Sequence, residues 1–511
     1  MDAQQHEVRA GPRALALRGG SALAGAAAVE RLVRLGRNML LARVIAPDQF
    51  GLMAVVLAVL ALFEAITEVG VAQAVIQNER GSSAEFLNVA WWFGIARGAV
   101  VAVVALSLAG PIAVFYEMPE LAPLLMVAGL SVVFTGLTSP RIYALQRELR
   151  FGATLVSIQG AGLLATLATI ALGLWMQNVW ALLWGTVLEA FLRFVLSFVV
   201  APFRPSLHWE AEARRDLFRF TRGMAGLSLL TFLILQADTF VLAKTVSVEA
   251  LGIYAMAIAL AAFPLAIFSK AVQPLVVPIL ARLQDDMAAM RTAVLSMSRL
   301  VWLFGLPMVA VMATVADPLL VLVYGRPEFG RAAAAFSLYA LFVVVYMASM
   351  ITFSVYLALG RPELQRRFTL VRAVLVLVLL YPLALVWGGT GAALALLVSM
   401  LGAMAVQLVI LRRVIGLRIV AYLRTLPTGL FAASVPALAL VLVARSVELS
   451  RGVSVLLAMT VGAVTWAVLL FRERRTARRA RNTGSPPVVA QPRAGASLAP
   501  SAAPTQTTGG A

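Results

Sequence analysis

A chain of 511 residues could hold several soluble domains, but a hydrophobic fraction of 61%, a charged fraction of 13% and a mean hydropathy of +0.91 exclude them. Too little charge is present to coat a water-facing surface, so lipid must solvate most of the chain as an all-α, multi-pass membrane protein; a β-barrel is excluded because the apolar runs stay continuous over roughly 20 residues. The net charge of +18 is scattered over short loops, which argues against a nucleic-acid partner, and the absence of cysteine removes disulfides and thiolate metal sites.

The first 19 residues are polar, carry Arg9, Arg13 and Arg18, and lack the apolar core of a cleaved signal peptide. Beyond them fourteen spans are predicted, near 20–44, 50–77, 86–110, 121–143, 153–175, 179–200, 221–245, 251–278, 292–316, 332–358, 368–387, 391–411, 427–444 and 453–471. The turns between them are short and rich in breakers, at 46–48, 118–120, 326–328, 360–362 and 387–391. With a cytoplasmic N-terminus the inner loops and tails collect about 28 Lys/Arg and the outer loops about four, an asymmetry that predicts both termini inside and an even number of spans. The inner set includes Arg141, Arg147 and Arg150, then Arg361, Arg366, Arg367 and Arg372, and a cluster at 472–481.

Residues 42–54 and 243–255 align without a gap at an offset of 201, with identities at Ala42/Ala243, Gly51/Gly252 and Ala54/Ala255 and close swaps such as Arg43/Lys244. A duplicated helical bundle is the body plan of many secondary transporters. The predicted organisation is therefore a cytoplasmic segment 1–19, a six-helix bundle 20–200, a cytoplasmic linker 201–220 and a second six-helix bundle 221–411. A cytoplasmic loop 412–426, two additional spans within 427–471 and a basic, then disordered, tail 472–511 complete it. Six spans per copy give both repeats the same topology, related by an axis along the membrane normal.

The first span is the most polar. Glu30, Arg31, Arg34, Arg37 and Asn38 fall within an arc of about 120° on one helix face. An arginine at mid-bilayer costs roughly 2.5–3.5 kcal/mol on insertion scales, so these three must meet water, a partner or a ligand. Two arrangements answer that cost: internal pairing of Glu30 with Arg34 while Arg43 snorkels outward, or a cationic stripe lining a cavity for an anionic substrate. Glu64 and Glu68, at i and i+4 in the second span, must pair with cations, such as the first-span arginines and Arg97, or hold a proton. Glu189 and Arg193 have salt-bridge spacing. In the second copy Asp238 stands at the position equivalent to Arg37, and Lys270 lies in the eighth span, which Pro264, Pro274 and Pro278 are expected to kink.

Motifs for phosphate-binding loops, zinc proteases and serine hydrolases are missing, and the two histidines, His6 and His208, fall in cytoplasmic segments, so an enzyme is not expected. No cofactor is expected beyond a coupling proton or sodium ion.

The segment 40–77, with its LAR-x-I-x-x-x-x-FG-L core and a helix ending in G-x-x-x-x-x-IQ, resembles the start of the polysaccharide transporter family, the Wzx-type flippases of the multidrug/oligosaccharidyl-lipid/polysaccharide exporter superfamily. LQRELRF at 145–151, ALGIYAMA at 250–257 and PILARLQDD at 278–286 are similar to its colanic acid exporter branch. The resemblance covers roughly 20–415 and implies flipping of an undecaprenyl-pyrophosphate-linked oligosaccharide across a bacterial plasma membrane, alongside a polysaccharide polymerase and a chain-length regulator. These flippases have no invariant catalytic set to map onto the chain, so the site rests on the helix-face argument: Arg31, Arg34, Arg37 and Lys270 are expected to meet the diphosphate, with Asn38 and Arg97 in the same cavity, and Glu30, Glu64, Glu68 or Asp238 to serve ion coupling. The rivals are a cation-coupled multidrug exporter, which should offer an acidic or aromatic cavity, and a membrane polymerase or glycosyltransferase, which should carry a large outer loop. A pure scaffold gives no reason for the charged stripe.

Overall fold

A computed structural model describes residues 12–67, 70–206, 210–446 and 450–482, and among them the chain is helical without strands. The first half comprises α1 (Pro12–Leu41), α2 (Pro47–Ile66), α3 (Val71–Gln77), α4 (Ala84–Tyr116), α5 (Leu121–Gly136), α6 (Arg141–Arg147), α7 (Gly152–Met176) and α8 (Val179–Val200). The second half begins with α9 (Ala211–Thr245), α10 (Val248–Ala261), α11 (Phe263–Ala271), α12 (Gln273–Ala281), α13 (Met287–Thr314), α14 (Ala316–Tyr324) and α15 (Ala333–Ala358). The run Glu363–Val414 breaks at Gly388 (φ 55°, ψ −132°) into α16 (363–387) and α17 (389–414). A short α18 (Ile419–Leu423) leads to α19 (Leu426–Ser446) and α20 (Arg451–Asn482).

Local chemistry sets the helix starts. Ser83, Asn178, Ser247 and Asp286 accept backbone N–H bonds from Phe86, Trp180, Ala250, and Ala288 with Ala289, while Pro47 opens α2 where its missing N–H costs nothing. Among the described residues, ten helices are long and apolar enough to cross a membrane, or eleven when α5 and α6, bent by 52°, are taken together. The expected fourteen exceed this count for physical reasons. α1, 30 residues long, carries enough charge to stand outside the apolar set, and the 52-residue run split by Gly388 is counted once.

Several expected boundaries shift. Helix α2 ends at Ile66, inside the expected second span, and Gly70 (φ 58°) starts α3 in the left-handed region that glycine tolerates. The eighth span breaks at Ala262 and Val272, just before Pro264 and Pro274, because each proline removes a ladder bond. Helix α9 begins at Ala211, so half of the expected linker 201–220 is the first turns of a long helix, and α1 likewise reaches back into 1–19. Glu68, His6, His208 and the tail beyond Asn482 lie outside the described residues.

The apolar core joins both halves, with Leu41, Val56, Leu125, Leu251, Tyr324 and Phe336 fully enclosed. Where the halves meet, the equivalent glycines make a reciprocal contact. A Cβ added to Gly51 would collide with the carbonyl of Val248, and one added to Gly252 with the carbonyl of Pro47. Pro47 and Val248 are themselves equivalent at the offset of 201. Residue i touching j while j touches i is the mark of a local two-fold contact, and only glycine lets α2 and α10 approach this closely.

Candidate functional site

Helix α1 packs against α7, and Gly162 of α7 leaves room for an ion cluster. A Cβ there would lie 2.6 Å from Glu30 Oε1 and 3.3 Å from Arg34 Nη2. Arg34 Nε donates to Glu30 Oε1 at 2.8 Å and its Nη2 donates to Glu189 Oε1 of α8 at 2.7 Å. Arg193 Nη2 shares that same Glu189 oxygen at 3.0 Å. Two arginines thus face two carboxylates, and the cluster is internally neutral. Arg34 stands as a strut between α1 and α8, so the stripe offers fewer free cations than its sequence implies.

The other stripe residues differ. Arg37 Nε and Nη2 donate to Asn38 Oδ1 at 3.2 and 3.1 Å, and no carboxylate pairs with Arg37 among the described residues. Arg31 is exposed and has no recorded partner there. Arg37 is therefore a cation held by a neutral amide beside a saturated pair. Lys270 is exposed at the end of α11, a helix that packs against α1.

Arg97 of α4 goes elsewhere. Its Nε donates to Thr67 Oγ1 and its Nη2 to the Glu64 carbonyl, both at 3.3 Å. It satisfies the end of α2, a favourable position for a cation. Glu64 is half-buried on α2.

In the second half Asp238 is buried. Its Oδ2 accepts from Tyr254 Oη of α10 at 2.9 Å and its Oδ1 accepts from the Thr239 N–H at 2.9 Å. No cation pairs with it among the described residues, so it suits a small cation or a proton. Asp238 and Arg37 occupy equivalent repeat positions with opposite charge.

Two features escaped the sequence reading. Arg372, counted there with the inner-loop charges, is 4% exposed on α16, where it stacks on Phe342 and Tyr346. Its place four residues inside the expected span 368–387 was the available signal. The second is a pair of crossings near the α2/α10 contact. Arg43 Nη2 donates to the Leu322 carbonyl at 3.4 Å, while Lys244, its repeat equivalent, donates to Glu117 Oε1 at 2.7 Å and the Phe115 carbonyl at 2.9 Å. Each reaches from one half to the other. Lys244 holds the Glu117 carboxyl below the usual carboxylate range, first through the hydrogen bond and then through its charge. At the opposite end Arg80 binds Glu210 and Glu212 at 2.5 and 2.8 Å, fastening the start of α9 to the α3–α4 turn.

Residues 40–327 match the family described as "Polysaccharide biosynthesis protein". The chain belongs to this family. It is 26% identical over 296 residues to the lipopolysaccharide biosynthesis protein WzxC of Escherichia coli, covering 56% of this chain and 58% of that protein. It is 24% identical over 302 residues to the succinoglycan biosynthesis transport protein ExoT of Rhizobium meliloti, covering 59% and 61%. The chain thus spans about three fifths of these relatives' lengths. The fold is similar to that of the lipid II flippase MurJ in an inward closed conformation, with a TM-score of 0.70 at 13% identity over 88% of this chain and 98% of that one. An inward-facing multidrug resistance MATE transporter of the MOP superfamily follows at 0.55 and 14%, over 75% and 96%. The resemblance carried by residues 40–77 agrees with the WzxC match and with the MurJ-like fold.

Proposed function

We propose that this protein is a carrier, not an enzyme, which flips a lipid-linked oligosaccharide with an anionic diphosphate head from the cytosolic to the outer leaflet of a bacterial plasma membrane. The observation that carries the reading is Arg37: a cation on α1 with a neutral partner only, beside an Arg34 cluster already saturated by carboxylates. A charged group left in that state inside a membrane helix is a place for an anion. Arginine's planar fork suits phosphate oxygens. Arg31, Arg37, Asn38 and Lys270 would meet the diphosphate and Arg34 would position them, while the lipid tail, undecaprenyl in the resembling family, stays in the bilayer. The units 20–200 and 221–411 would rock about the Gly51/Gly252 contact to alternate access, with both termini cytoplasmic. Asp238 would hold the coupling proton or sodium ion, and a polymerase with its chain-length regulator would consume the product.

A cation-coupled drug exporter is the second reading, favoured by the buried Asp238. Proteoliposomes holding a fluorescent polyprenyl-diphosphate oligosaccharide separate the two. The flippase reading expects protein-dependent loss of inner-leaflet label, abolished by Arg37→Gln. Extrusion of a lipophilic cation without any lipid flipping would support the exporter instead.

A further inference from the structure

Arg372 lines a cavity of about 270 Å³ bordered by α9, α12, α15 and α16, remote from the α1 stripe in the sequence and on the other half of the protein. Gln273, Tyr346, Ser349, Gln365 and Thr369 complete its polar lining. The arginine is 4% exposed, its Nε has no acceptor, and no carboxylate pairs with it among the described residues. Gln365 Oε1 on the same wall is also without a donor. An arginine held against aromatic rings at the wall of a hollow, with its Nε unsatisfied and no counter-charge, is placed to receive something.

The chemistry of the wall narrows what that is. One positive charge, without a lysine or second arginine, suits a singly charged group and falls short of a diphosphate. Amides and hydroxyls match sugar hydroxyls, and Phe353 and Phe368 offer apolar surface on which a sugar ring packs. The volume lies just below the usual range of ligand pockets, about 300–1,000 Å³, so it suits one ring rather than a repeat unit. We propose that this cavity is a subsite for a carboxylate-bearing sugar of the oligosaccharide, with Arg372 taking the carboxylate and Gln365 and Gln273 the hydroxyls. The inference rests on the carrier reading above and adds a second, separate point of substrate recognition.

The test uses the full-length protein in nanodiscs, with glucuronic acid, glucose and inorganic pyrophosphate as probes followed by saturation-transfer NMR. Glucuronic acid should bind at least tenfold more tightly than glucose. Arg372→Met should erase that preference while leaving pyrophosphate binding unchanged; Arg37→Gln should do the reverse. Gln365→Ala, which leaves the arginine in place, should weaken glucuronic acid three- to tenfold and serves if the methionine variant does not fold. Equal binding of glucuronic acid and glucose would overturn the subsite. So would loss of pyrophosphate together with glucuronic acid in Arg372→Met, which would mark a general anion site. Loss of pyrophosphate binding everywhere, with the glucuronic acid preference intact, would instead sink the diphosphate reading and spare this one.

Discussion

Replacing Arg34 and Arg37 separately with glutamine should produce two different phenotypes, although both arginines lie on the same face of α1. Arg34 joins Glu30 and Glu189 at 2.7 Å each. Its removal leaves Glu189 with Arg193, so the group stranded is chiefly Glu30, 16% exposed at the side chain. An unsatisfied buried polar group costs about 1–3 kcal/mol, which for a half of this size lowers an apparent Tm by roughly 2–10 °C. Arg37 binds only the neighbouring Asn38 amide, so Arg37→Gln strands no charge and should leave Tm within about 1–2 °C. Its loss falls on transport instead. One charge-assisted hydrogen bond to a phosphate is worth about 1.5–3 kcal/mol, equivalent to roughly 10- to 100-fold in substrate affinity. Thermal unfolding of the purified variants, beside flipping in proteoliposomes, reads both quantities. A destabilised Arg37→Gln beside a stable but inactive Arg34→Gln would refute the division between strut and ligand.

Gly51→Leu or Gly252→Leu should force the α2/α10 contact apart, and because the chain has no cysteine, a single Met53→Cys reports it without background. Met53 is 6% exposed, so its thiol should be inert to an impermeant reagent in the parent and reactive in the leucine variants; unchanged reactivity would place the opening elsewhere. The Lys244–Glu117 crossing should weaken with acid. The Glu117 pKa is depressed in the folded state, so its contribution is fully present above the unfolded value near 4.3 and is lost as pH falls through the lower folded value. Thermal unfolding followed against pH should show that contribution disappear over that range, and Glu117→Gln should remove this part of the pH dependence. Asp238→Asn should uncouple flipping from an imposed proton or sodium gradient, whereas Tyr254→Phe, which removes one hydrogen bond to the carboxylate, should only shift the dependence. Transport in Asp238→Asn that still follows the gradient would assign coupling to another group.

Much of this was legible because lipid simplifies the code. Apolar runs fix most spans, glycine and proline mark the turns, and Gly388 breaks the 363–414 run within the expected 387–391 turn. What local sequence could not disclose was partnership across helices. Glu30 and Arg34 announce themselves at i and i+4, but Glu189 lies 155 residues from Arg34, and only the packing of α1, α7 and α8 brings it within 2.7 Å. The end of α2 at Ile66 and the new start at Gly70 were missed for a related reason. No proline stands there, and a lone glycine inside an apolar stretch is also common in continuous membrane helices. Arg372 was misassigned because charge counting treats every arginine near a span end as a loop residue, whereas aromatic faces on α15 allow this one to stay inside.

The duplicated positions separate into two classes, and the separation bears on the proposed carrier reading. Gly51 with Gly252, and Arg43 with Lys244, keep the same character in both copies and meet or cross the boundary between them. A reciprocal contact constrains both partners at once, because a side chain added to either glycine strikes the opposite backbone. Arg37 and Asp238 are under no such constraint: each bonds within its own half, and they have diverged to opposite charge. The symmetric class therefore suits the pivot, which both halves must share in every state. The asymmetric class suits the chemistry, an anion on one side and a coupling cation or proton on the other. It follows that exchanging the asymmetric pair, as Arg37→Asp with Asp238→Arg, should abolish transport while leaving the Gly51/Gly252 contact closed to the Met53→Cys reporter. A reporter that opened in that double variant would show that pivot and chemistry are not separable.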